Sequence, residues 1–109
     1  MDVKETNEKF RAKLGKNYEE YISKLNNLSL SEIIEKAEEI SAVKKLYEIL
    51  SERGFSTSDI NYMLDNFQNP LDIICREWLI YHSDLPYDGV QYVLWNIHDK
   101  QKYQSDFSD

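Results

Sequence analysis

A chain of 109 residues with 41% hydrophobic residues, three Gly and two Pro has enough apolar surface for one folded domain and too few turn formers for a β-rich one. A single cysteine excludes an internal disulfide, and no run approaches the ~18 apolar residues that a membrane span needs. The formal charge of −7 is uneven: residues 1–55 carry ten Lys/Arg and eleven Asp/Glu, residues 56–109 three and nine, so the second half lacks the cations that direct binding to nucleic acid requires.

The expected class is all-α, with five helices near residues 5–26, 30–52, 57–67, 70–82 and 86–100. They form a single domain over residues 1–103, followed by a disordered acidic tail over 104–109. Met1-Asp2-Val3-Lys4-Glu5 has no apolar leader-like region, which predicts a cytoplasmic protein.

In the first helix, Phe10, Leu14, Tyr18, Tyr21, Ile22 and Leu25 recur at helical spacing. Gly15 inside it predicts a bend or a close helix approach. The second helix opens with a capping box, Ser29 with Glu32, and a hydrophobic staple, Leu28 with Ile33. Its apolar row is Ile33, Ala37, Ile40, Val43, Tyr47 and Leu50; the row drifts after Ile40, so a kink or break is expected near Ser41, and Arg53-Gly54 marks the stop. Ser56 with Asp59 repeats the capping box, and Phe55 with Ile60 repeats the staple. The third helix then turns Ile60, Met63, Leu64 and Phe67 inward, and Tyr62, Asp65 and Asn66 outward.

Asn69-Pro70 begins the fourth helix, since a proline at the first helical position lacks only an N–H that would have had no partner. Leu71, Ile74, Cys75, Trp78, Tyr81 and His82 fall on one face and Ile73 and Ile80 on another. A helix apolar on two faces belongs at the centre of a bundle. Trp78, Ile74, Leu71, Leu64 and Leu94 are the expected core. The last segment, Val90 to Ile97, has strand-like composition but no partner strand, so helix is favoured, with Val90, Val93, Leu94 and Ile97 inward and Tyr92, Trp95 and Asp99 outward.

No catalytic or metal motif is evident, and no cofactor is implied: there is no glycine-rich phosphate loop and no paired-cysteine spacing. Cys75 and His82 share a face but stand ~10 Å apart along the axis, too far for a thiol–base pair. His98 and Asp99 are sequence neighbours and point apart on a helix. A helix-turn-helix over residues 57–82 would place Leu71, Asp72, Ile73 and Ile74 where base-reading side chains are needed. A non-enzymatic interaction protein is the expectation.

The candidate partner-binding residues are Tyr62, Asp65, Asp88, Tyr92, Trp95 and Asp99, aromatics set among carboxylates, which suit a protein with a basic surface such as a nucleic-acid enzyme. The alternative is a regulatory or scaffold subunit that binds through the apolar face of Ile73 and Ile80. No membrane or direct nucleic-acid contact is expected, and the state is a monomer or weak homodimer.

Three pieces in order carry a resemblance: Asn7-Glu8-Lys9-Phe10, then Leu28-Ser29 through Glu32-Ile33-Ile34-Glu35-Lys36-Ala37, then Asn69-Pro70-Leu71-Asp72 leading to Glu77-Trp78-Leu79. Their order resembles a small domain family of unknown function found in clostridia and related Firmicutes, often on mobile elements. The resemblance runs to residue 83 and brings no catalytic residues. It implies an accessory role on a mobile element; joined by analogy to the acidic, aromatic second half, this gives the expectation of an inhibitor of a nucleic-acid-binding protein or host defence complex, of anti-restriction or anti-CRISPR type.

Overall fold

In the computed structural model, residues 3–80, 89–101 and 103–105 are described. They form six helices: α1 (Val3–Leu25), α2 (Leu30–Glu35), α3 (Ala37–Glu52), α4 (Thr57–Asn66), α5 (Pro70–Ile80) and α6 (Gly89–Lys100). The all-α class is as expected, and the strand-like stretch from Val90 to Ile97 is helical throughout. Among the described residues no helix is long and apolar enough to cross a membrane.

The sixth helix arises because the expected helix over 30–52 is broken. The break lies at Lys36 (φ −96°, ψ 9°), one and a half turns before Ser41. The Ser29–Glu32 capping box forms in full, with the Glu32 N–H donating to Ser29 Oγ at 3.2 Å, and so fixes the start of α2. Yet α2 buries none of its residues; Leu30 and Ile34 are 73% and 65% exposed. The break frees α3 to present a different row from the one expected: Ala42, Val43, Leu46 and Leu50 are buried, while Ala37 is exposed and Ile40 and Tyr47 are half-buried. Packing onto α1, α5 and α6 overrides the straight continuation of the α2 stripe.

In α1, Phe10 and Leu14 are buried, Tyr18 and Tyr21 half-buried and Ile22 exposed. At Gly15, where the sequence suggests a bend or a close helix approach, the neighbour stands at an ordinary contact distance. A Cβ there would lie 3.5 Å from Tyr47 Oη, and Tyr47 stacks on Tyr18 with ring centroids 4.4 Å apart.

α5 packs against α1, α3 and α6, and seven of its eleven residues are buried. Its start is built as the sequence predicts, with the Asp72 N–H donating to Asn69 Oδ1 at 3.0 Å. A second clamp comes from α1: buried Asn17 donates its amide to Gln68 O at 3.3 Å and faces the Leu71 N–H. Leu71, Ile74, Trp78 and Leu94 are core, whereas Leu64 is only half-buried against it. The Ile73/Ile80 face does not exist as a surface. Ile73 is buried and only Ile80 is exposed, because solvent meets α5 along the i, i+4 row of Asp72, Arg76 and Ile80. His82 and Asp88, with the rest of residues 81–88, lie outside the described residues.

Glu77 is the unexpected member of the core. It is fully buried; Asn96 donates to its Oε2 and the Tyr103 hydroxyl to its Oε1, the latter at 2.9 Å. Tyr103 reaches it because the chain turns back after α6 through Gln101, which takes a left-handed conformation (φ 47°). Ser105 Oγ then donates to Asn66 O at 3.1 Å, so the tail, expected to be free from residue 104 on, is tied at Ser105.

Candidate functional site

The second expected capping box does not form. Ser56 makes no side-chain cap. Asp59, at the third position of α4, turns into the gap between α4 and α6 and is buried there. Gln91 of α6 takes over both ends of the arrangement: its amide oxygen accepts the Ser56 N–H at 3.1 Å and its amide nitrogen donates to Asp59 Oδ2 at 2.9 Å. His98 Nδ1 lies 2.9 Å from Asp59 Oδ1. An ionised carboxylate only accepts, so Nδ1 carries the proton in this pair and a neutral imidazole presents Nε2 as an acceptor.

The imidazole stacks on Tyr62 (centroids 4.5 Å apart, planes at 17°), and Tyr62 meets Phe67 edge-on at 6.0 Å. Over this pair opens a shallow hollow of about 400 Å³ lined by Ser56, Ser58, Asp59, Trp95, His98, Asp99 and Gln101. Trp95 stands at it 49% exposed, and Tyr92, 44% exposed, lies beside Trp95 with ring centroids 6.0 Å apart.

Of the candidate binding residues, Trp95 and Asp99 line the hollow, and Tyr92 neighbours Trp95. Tyr62 is half-buried and stacked on His98, and it is not among the residues that line the hollow. Asp65 is exposed on α4, one turn beyond Tyr62, and Asp88 lies outside the described residues. His98 and Asp99, expected to point apart, both line the hollow, and His98 has a partner 39 residues away in Asp59. No local pattern signals that pair. At its start α4 has a serine and an acid three apart, the same spacing as a box that does form at Ser29.

A more enclosed cleft of about 260 Å³ lies between α1, α3 and α5, lined among others by Tyr21, Glu39, Asp72, Cys75 and Arg76. Burial, with the nearby carboxylates of Glu39 and Asp72, pushes the Cys75 thiol up to about 12. Burial also raises the Tyr21 phenol, as does the hydrogen bond it donates to Glu39 at 3.0 Å. Both stay protonated at neutral pH, so the cleft holds no thiolate nucleophile. Within it Arg76 pairs with Asp72 at 2.9 Å, and Glu39 pairs with Lys36 outside the lining at 3.7 Å. Among the described residues no group of three or more His, Cys, Asp or Glu is placed to hold a metal ion. A helix-turn-helix use of α4 and α5 is contradicted by packing, since Leu71, Ile73 and Ile74 are inside the bundle and cannot enter a DNA groove.

No family model matches the chain, and neither the curated proteins nor the solved structures contain a match.

Proposed function

We propose that this chain is a small interaction protein without enzymatic activity, which docks its acidic C-terminal half, through the aromatic outer face of α6, against a basic, phosphate-binding surface of another protein. The observation that carries this reading is the pair Tyr92 and Trp95, two large aromatic rings about half in water, with Asp99 one turn beyond Trp95. Half-exposed aromatics among charges are the residues that dominate binding energy once a partner desolvates them. The carboxylates steer a basic partner and set its orientation. An acidic second half, net −6 over residues 56–109, extends the same field. In this reading the protein competes with nucleic acid for the partner, the role of a mobile-element inhibitor.

Affinity capture from the native source tests it with wild type, Asp99→Lys and Trp95→Ala run in parallel. The expected partner carries a basic surface, is released by salt, associates more slowly with Asp99→Lys and dissociates faster from Trp95→Ala. Equal recovery by all three chains would sink the reading.

A second reading has its own observation. α2 exposes Leu30 and Ile34 on a helix that buries nothing, so a scaffold role would run through α2 and not through the buried Ile73. Ile34→Lys would then abolish capture while Asp99→Lys left it intact.

A further inference from the structure

The hollow beside Trp95 has a composition that folding does not account for. Among the described residues its lining includes no lysine or arginine, and it offers polar acceptors in Ser56, Ser58, Asp99 and Gln101. Asp99 makes no ion pair or hydrogen bond with another described residue.

Two helix ends meet here, and their fields decide the sign of the guest. The start of α4 on its own would favour an anion. That end is already compensated by Asp59, a buried carboxylate in the first turn of the helix. The last turn of α6 brings the negative end of its helix to the same place; it carries Lys100 as well as Asp99, and of these two Asp99 is the one that lines the hollow. With Asp59 buried and engaged by Gln91 and His98, the charge left facing the hollow among its described lining residues is the Asp99 carboxylate, which repels an anion and attracts a cation.

The shape selects among cations. Trp95 supplies a flat, half-exposed wall, and the acceptors lie around it rather than at one point. An ammonium is a compact point charge. A guanidinium is planar, less strongly hydrated, and able to stack on an indole while its five N–H groups donate in its own plane. We propose that this hollow is the seat for one arginine side chain of the partner, stacked on Trp95 and paired with Asp99. The proposal rests on the docking role given above to the α6 face, and it specifies the group that the face receives.

The test uses the full chain, isotopically labelled, titrated with the tripeptide Gly-Arg-Gly, blocked at both ends, and with its lysine counterpart. The two indole N–H signals separate the site from the core, because Trp95 is exposed while Trp78 is buried. The arginine peptide is expected to shift the Trp95 signal and leave Trp78 in place, with the lysine peptide about fivefold weaker. Asp99→Asn should weaken the arginine response about fivefold, and Glu8→Gln, an exposed acid on α1, should not change it. Equal responses to the two peptides, indifference to Asp99→Asn, or shifts gathered away from the hollow would overturn the proposal. If it falls while capture of a basic partner still depends on Asp99, the docking face stands without an arginine seat. If both dependences vanish, the face itself is wrong.

Discussion

Tyr103→Phe removes one hydroxyl and leaves the ring. In the folded chain that hydroxyl donates to Glu77 Oε1 at 2.9 Å, and Glu77 is fully buried. A net hydrogen bond contributes about 0.5–1.5 kcal/mol, and one to a charged acceptor about 1.5–3 kcal/mol. Tyr103 is itself only half-buried, so water replaces part of what is lost, and a cost of about 1–2 kcal/mol is expected. For a domain of this size that lowers Tm by roughly 4–12 °C. Urea unfolding followed by circular dichroism gives the free energy directly, with an unchanged denaturant slope showing that the same surface is exposed. A double-mutant cycle with Glu77→Met, which removes the acceptor, isolates the pair, and a coupling of about 1 kcal/mol is expected. If Tyr103→Phe unfolds within about 0.3 kcal/mol of wild type, the tail does not hold the core carboxyl in solution, and the docking of Tyr103 onto Glu77 is refuted.

Trp78→Ala empties the centre of α5 beneath Lys45, whose ammonium lies 5.9 Å from the indole centroid; it should cost about 3–5 kcal/mol and leave little folded protein by calorimetry. Gly15→Ala should raise stability by about 0.5–1 kcal/mol in urea unfolding, since the new methyl meets Tyr47 Oη at an ordinary 3.5 Å and the helix gains a better former. Thr6 is fully buried with no hydrogen-bond partner for its hydroxyl, so Thr6→Val should be neutral or stabilising by up to about 1 kcal/mol, measured the same way. The Cys75 thiol, raised from 9.0 to about 12, holds its proton more tightly folded than unfolded. Its contribution to stability is therefore full below pH 9 and declines as pH rises toward 12, and iodoacetamide should label it at pH 8 far more slowly than in urea.

What the amino-acid order determined by itself is what acts within a turn or two of helix. The Ser29–Glu32 box and the Asn69-Pro70 start bind groups three residues apart and form as expected. The inward row of Val90, Val93, Leu94 and Ile97 follows from helical period alone, and so does a centre at α5, because a helix apolar on two sides needs cover on both. Tertiary structure decided whatever depended on distant partners. Asn17 clamps the start of α5 from 54 residues away, Asp59 leaves its own helix cap for His98 across 39, and Glu77 is tolerated inside because Asn96 and Tyr103 come to it across 19 and 26. The break at Lys36 belongs with these, since α3 turns to bury Leu46 at the cost of leaving Leu30 and Ile34 in water. The candidate face follows the same division: helical period turns Trp95 and Asp99 outward, while the hollow they border brings Ser56, Ser58 and Asp59 of the α4 start to the end of α6, Asp59 to His98 across 39 residues of sequence that no local pattern links.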